Sequence, residues 1–508
     1  MTRQSITFRQ LWQLASRFAH VLKSAGVRQG EYVLVTTPLS IEFWVASLGV
    51  ILTGAVHIST EKFYSGGEII TEVVNMSKAR YIVLSGDQGS EMWDMFKNDA
   101  KPVAGSTFVT SVCCRSMPTL EKLVLTNKSS ESKGANFLEV LASLSEEFCN
   151  PDIQPEDGAA VVLSIDKDKA NRPKMCEISH AAIAAYSKVF WKKFPDVFKN
   201  YLYLPWYIVA ALPFDTLSGV TRVLPDCYRT EPQAIFELSL KIKDAEQMNL
   251  MIVPAQFILY VMERRKHLPG PYVEFVYTGG QPFTSTIVKK CEGFAKKMYI
   301  GYAGSEILGA TLLEIQDFNL YDDYDAGCLL PDVQIQIVDD SMKEVPRGQT
   351  GRVLVKSPTL CKGYVGDPLK TKSAFTQDGW LCIDDLGQIR EDGRILIFGR
   401  GGDVISRGIV LIYPVWIEEP LLAHQDIVEV KAVPVPDSLN VNNVCACVVK
   451  RPKSTLSEED VKEIVNTILT PGGSDYITID HVLFFEKELP NVRRLELSQL
   501  AAKMLGKC

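Results

Sequence analysis

The sequence predicts an α/β protein: a large N-terminal domain of βαβ subdomains with a small antiparallel β subdomain, followed by a small α+β C-terminal domain. Three observations predict it. Helix-period and strand-like segments alternate through residues 8–84, β-rich runs beyond Gly327 are separated by turn residues alone, and a new set of helices and strands begins after Asp403. Strands alternating with helices imply right-handed crossovers and a parallel sheet. Short strands joined by turns imply antiparallel pairing. With 508 residues, 46% of them hydrophobic, the chain can bury several cores. The expected division is 1–400 and 401–508.

The elements follow in order. A helical period over residues 8–25 puts Phe8, Leu11, Trp12, Ala15, Phe18 and Leu22 on one face, and Gly26 supplies the stop. Residues 32–36, 55–58 and 80–84 read as strands, with a helix over 41–52 between the first two. The polar stretch 126–136 reads as a surface loop. Residues 334–338, 352–355 and 394–398 are alternating or β-branched runs, the expected antiparallel strands. In the last part, 428–433 and 444–449 read as strands and 457–469 as a helix.

Composition removes several classes of function. A net charge of −7 with mixed signs offers no basic surface for nucleic acid. Six histidines, none at metal-ligand spacing, speak against a zinc or iron site. Twelve cysteines without regular spacing suit a reducing compartment better than a disulfide scaffold. No run reaches about 18 apolar residues, so no transmembrane segment is expected. Before Glu31 the chain carries Arg3, Arg9, Arg17, Lys23 and Arg28 and no acid. That pattern fits a mitochondrial transit peptide as well as a first structural helix; the structural helix is the preferred reading. The expected setting is intracellular, cytoplasmic ahead of mitochondrial.

The chemistry-bearing motifs lie in the middle of the chain. Gly279-Gly280-Gln281-Pro282 follows a β-like run, and glycines there allow close backbone approach. Next come Gly301-Tyr302-Ala303-Gly304-Ser305-Glu306, then Gly379-Trp380-Leu381-Cys382-Ile383-Asp384-Asp385, Gly399-Arg400, Asp403 and Tyr413-Pro414. In this order and spacing they resemble the adenylate-forming superfamily, which includes acyl-CoA synthetases, luciferases and peptide-synthetase adenylation domains. The resemblance covers nearly the whole chain. It implies that Gly279, Gly280 and Gln281 border the nucleotide, Tyr302 stacks on adenine, Ser305 contacts phosphate, Glu306 holds Mg²⁺, Asp385 accepts both ribose hydroxyls, and Arg400 reaches ribose or phosphate. It implies ATP, Mg²⁺ and CoA as cofactors, a small-molecule carboxylic acid as substrate, and a mobile C-terminal domain hinged at Asp403.

Four departures from that pattern bear on activity. The Gly/Ser/Thr-rich phosphate loop is replaced by Asp166-Lys167-Asp168-Lys169-Ala170-Asn171 ahead of the matching Pro173-Lys174. An amide nest around phosphates needs glycine, and two aspartates oppose a triphosphate, although Lys167, Lys169 and Lys174 offset this in part. Near the C-terminus, Leu489-Pro490-Asn491-Val492-Arg493-Arg494-Leu495-Glu496 puts glutamate where the family has its catalytic lysine; Arg493 and Arg494 are the candidate substitutes. At Trp206-Tyr207-Ile208, Ile208 replaces a histidine lining the acyl pocket. Arg407 likewise replaces a glycine near the CoA tunnel, where its bulk would narrow the passage. Trp206, Tyr207 and Phe257 point to a crowded pocket and a shorter acid. Two expectations follow: an acyl-CoA synthetase-like ligase with weakened activity, or a pseudoenzyme that keeps the fold and binds nucleotide, acyl ligand or a protein partner. A third is reuse of the pocket for a partial reaction on a preformed adenylate.

Overall fold

The computed structural model describes residues 4–37, 39–60, 67–86, 91–126, 137–165, 173–192, 200–203, 219–223, 232–264, 271–339, 341–400, 405–407, 410–412, 414–469, 478–486, 489–490 and 494–507. The architecture is α/β, a large N-terminal domain built on two mixed sheets and a small C-terminal domain on a third.

The first helix, Phe8–Ser24, starts at a capping box in which Thr7 and Gln10 satisfy each other's exposed amides. Leu11, Ala15, Phe18, Ala19 and Leu22 are buried along it. Phe8 and Trp12 are 41% and 52% exposed, so the apolar face is narrower than the sequence suggests. Trp12 lies at the margin of the stripe and Phe8 in the first turn. Gly26 takes φ 99°, as a helix-ending glycine should.

Among the described residues, the first sheet has nine strands. Its centre is parallel: Tyr32–Val35 lies between Val56–Ser59 and Tyr81–Leu84, and Val56–Ser59 leads on to Gly158–Ile165. Gly158–Ile165 and Pro173–Ser179 then pair antiparallel, with Ile165 opposite Pro173 and Ser164 opposite Lys174. The expected phosphate-loop residues 166–171 lie between these strands, outside the described residues.

The second sheet has eleven described strands. Asn200–Tyr203, Leu250–Ile252, Val273–Gly279 and Ala295–Tyr302 run parallel. Thr311–Ile315 reverses direction, and Asp325–Leu329, Ile395–Arg400, Leu381–Ile389, Gly351–Lys356 and Gln334–Val338 continue antiparallel. The antiparallel strands read from the sequence therefore extend the second parallel sheet. This continuity places Tyr302 and Asp385 on one scaffold.

The third sheet pairs Ile427–Asp437 with Val441–Lys450, flanked by Ile405–Arg407 and His481–Phe485. The helix Glu458–Leu469 contributes Val461 and Val465 to its core, beside Trp416 and Ile417. Among the described residues, no helix is long and apolar enough to cross a membrane.

Candidate active site

Parallel strands present their C-terminal ends together, and in open α/β sheets that edge is where ligands bind. Val273–Gly279 and Ala295–Tyr302 end side by side, with Gly279 opposite Gly301. A Cβ on Gly279 would come within 2.5 Å of the Gly301 carbonyl oxygen, so the absence of a side chain there is used by the neighbouring strand. Gly280 needs its own freedom for φ 81°. Gln281 follows directly and is half-buried.

Tyr302 closes its strand and is buried. Its hydroxyl donates to Asp385 Oδ2 at 2.5 Å, across 83 residues of sequence. Asp385, also buried, lies opposite Arg400 in strand register. The preceding Asp384 has φ 60°, a conformation that favours glycine, and an irregularity in the pairing with Gly351–Lys356 falls here. Tyr302 and Asp385 thus form one unit, with the apolar ring and the acceptor that a nucleoside calls for.

Ser305 and Glu306 follow in the turn beyond Tyr302, both buried. Glu306 Oε1 accepts from Lys174 Nζ at 2.7 Å and from the Tyr364 hydroxyl at 3.1 Å. The ion-paired side chains are only 7% and 4% exposed. The Glu306 carbonyl also accepts from the Cys361 amide at 2.8 Å. Burial, then the Glu306 charge, pushes the Tyr364 phenol far above its ordinary range, so it remains a proton donor to the carboxylate. Sequence reasoning missed Tyr364; its signal was Gly363-Tyr364, a two-residue strand pairing with the one that carries Lys174.

Mg²⁺ takes carboxylate oxygens together with substrate phosphates. Glu306 has the chemistry to hold it, and the Lys174 ammonium is the cation now beside that carboxylate.

The remaining expected residues fall elsewhere. Arg494 opens the helix Arg494–Met504 and binds Glu418 Oε1 at 2.5 Å and the Ala432 carbonyl at 2.6 Å, within the C-terminal domain. Glu496 sits in the first turn of that helix, where a negative charge suits the helix dipole. Arg407 forms a two-pronged contact with Asp480, at 3.1 and 2.9 Å, again within the C-terminal domain. Phe257 packs edge-on against Phe294 in a separate core. Trp206, Tyr207, Ile208, Asp403 and Arg493 lie outside the described residues.

The chain is similar to known proteins over most of its length. The profile of the AMP-binding enzyme matches residues 1–163 and 171–365, and that of the AMP-binding enzyme C-terminal domain matches 416–494. The unmatched residues 164–170 overlap the expected phosphate-loop position, 166–171. A protein of Humulus lupulus named probable CoA ligase CCL5 is 25% identical over 92% of this chain and 83% of its own length. Among solved structures, the amide bond synthetase McbA of Marinactinospora thermotolerans superposes with a TM-score of 0.73 at 19% identity, over 98% of this chain and 95% of that one. ATP-bound MatB of Rhodopseudomonas palustris gives 0.61 at 21% identity, over 97% and 93%.

Proposed function

The chain belongs to the AMP-binding enzyme family, and from that premise we propose that it is an acyl-CoA synthetase-like ligase with a weakened first step. A carboxylic acid, fatty acids foremost, would attack the α-phosphate of ATP to give acyl-adenylate and pyrophosphate. The CoA thiol would then take the acyl group and release AMP. The observation that carries this reading is the contact of Tyr302 with Asp385, four residues of chain from Glu306 and its partner Lys174.

In this reading Tyr302 lies against adenine, Asp385 holds the ribose hydroxyls, and Arg400 and Ser305 face ribose or phosphate. Gly279, Gly280 and Gln281 border the base. Glu306 would hold Mg²⁺, which supplies charge neutralisation at the phosphates. Lys174 would move its ammonium from Glu306 toward phosphate, and Arg493 or Arg494 would stand in for the missing lysine. For Arg494 this requires leaving Glu418. Trp206, Tyr207 and Ile208 would line the acid pocket, and the domain junction would fall near Asp403. Cysteine usage supports an intracellular, preferentially cytoplasmic, setting.

A second reading has its own support. Glu306 is held by two donors at once, and Glu496 carries the wrong sign for a site of developing negative charge. Both favour a pseudoenzyme that binds nucleotide, acyl ligand or a protein partner without turnover. Pyrophosphate release with ATP, Mg²⁺ and a panel of acids tests the pair of readings. Charge stabilisation of this kind is worth several kcal/mol, so Glu496→Lys should raise release by about a hundredfold if the weak step is adenylation. No release from either protein, with AMP still bound, would select the pseudoenzyme.

A further inference from the structure

The adenylation geometry constrains where an acid must lie. On the ligase reading its carboxylate would meet the α-phosphate near Gly279, Gly280 and Tyr302, and its carbon chain would run toward the apolar cluster that holds Tyr277. The side chain next in line on that face of the sheet is Tyr277, two residues before Gly279 on the same strand.

Tyr277 does not stand off the sheet. A Cβ built on Gly301 would fall 2.1 Å from the Tyr277 hydroxyl oxygen, 2.8 Å from Cζ and 3.0 Å from Cε2. The phenol therefore lies across the bare backbone of Gly301, immediately before Tyr302. A second glycine serves a second ring: a Cβ on Gly309 would fall 2.7 Å from Cε2 of Tyr186. Tyr186 and Phe190 come from the helix His180–Lys192. Phe190 meets Tyr277 edge-on at 5.3 Å and Tyr186 in a tilted contact at 5.6 Å. The hydroxyls of Tyr186 and Tyr277 hydrogen-bond each other, and all three rings are buried among Leu250, Ile252, Phe275 and Tyr299. Burial pushes both phenols well above their ordinary range, so they stay neutral.

A buried hydroxyl is costly unless it is paired. Here the Tyr277 hydroxyl donates to that of Tyr186, which ties the two rings together, and two glycines give them room. A phenylalanine pair would fill the same volume without that constraint.

We propose that Tyr277, braced by Tyr186 and Phe190, is the specificity-determining residue of the acid pocket and limits it to short carboxylic acids of a few carbons. The inference rests on the ligase reading of the site and narrows its substrate class. Rigid rings across the path exclude a long chain sterically, while a short acid ends against their edges.

The test measures binding without turnover. Acetyl-, butanoyl- and octanoyl-sulfamoyl adenosine, stable mimics of the acyl-adenylate, are titrated calorimetrically into the natural protein, Tyr277→Ala and Tyr186→Leu. AMP serves as the nucleotide control. The natural protein should bind the acetyl and butanoyl compounds at least about tenfold more tightly than the octanoyl compound. Tyr277→Ala should reverse that order, and Tyr186→Leu should shift it the same way should Tyr277→Ala fail to fold. Equal or tighter binding of the octanoyl compound by the natural protein overturns the proposal, as does an unchanged order in a folded variant. AMP binding with no acyl compound bound by any of the three proteins overturns the pocket but leaves the nucleotide site standing. Failure to bind AMP as well sinks the ligase reading and the pocket with it.

Discussion

At the end proposed for the nucleoside, Tyr302 and Asp385 belong to one continuous sheet and meet through a hydrogen bond of 2.5 Å. At the end proposed for phosphate, Lys174 comes from the first sheet and Glu306 follows a strand of the second, and the two meet as a buried ion pair. The first contact is a local feature of a rigid surface. The second joins two sheets, so the same residues that would handle phosphate also hold the domain together. Charge chemistry at the phosphate end is therefore coupled to stability in a way that nucleoside recognition is not.

The largest expected effect breaks that coupling. Lys174→Met leaves Glu306 buried beside the Tyr364 hydroxyl, and removing one member of a buried pair costs about 3–5 kcal/mol. Urea denaturation should show this loss, and Lys174→Met combined with Glu306→Gln should recover most of it. A single variant as stable as the natural protein would mean that the pair does not tie the sheets. The next effect belongs to the other end. Asp385→Asn keeps a partner for Tyr302 but weakens a charge-assisted contact worth about 1.5–3 kcal/mol. AMP affinity should fall by roughly ten- to a hundredfold, with little change in melting temperature. A large melting shift without an affinity change would reverse the assignment of the two ends.

These two ends were not equally legible from sequence. Alternation of helix and strand signals located the parallel sheets, because side-chain period is a local property. Tyr302 and Asp385 were recognisable because each sits in its own short motif. The contact between Lys174 and Glu306 spans 132 residues, and nothing in either motif encodes that distance. Arg407 and Arg494 illustrate the same limit. Each stood near a functional position in sequence, yet Asp480 and Glu418 lie 73 and 76 residues away and engage them within the C-terminal domain. Trp12 fitted a helical face by spacing, but burial depends on what covers that face, and nothing covers it fully.

A third test asks whether pH acts through the site or through the core. His57 is 1% exposed, its Nε2 lies 3.1 Å from Ser47 Oγ, and burial lowers its pKa from 6.5 to about 3. The folded protein keeps the ring neutral while the unfolded chain takes up a proton below 6.5. Stability is therefore complete above that pH and falls as pH drops toward the folded value, by up to about 1.4 kcal/mol per unit. Denaturation at 6.5 and one unit lower should show the slope in the natural protein and lose most of it in His57→Leu. A slope unchanged by the substitution would move the proton-linked group elsewhere, the phosphate end included.

The smallest effect sharpens the nucleoside end. Asp384 holds φ 60° one residue before Asp385, and a side chain in that region is strained, though aspartate tolerates it better than most. Asp384→Gly removes the strain and a nearby negative charge, against the greater entropy that glycine gains on unfolding. The expected balance is a stabilisation of about 0.5 kcal/mol, with AMP bound somewhat more tightly because one like charge beside Asp385 is gone. The two readouts separate causes: a gain in stability alone identifies backbone strain, and a gain in affinity alone identifies charge. Loss of both would mean that Asp384 anchors the strand irregularity that aims Asp385 at Tyr302, making the nucleoside end depend on this substitution for its geometry.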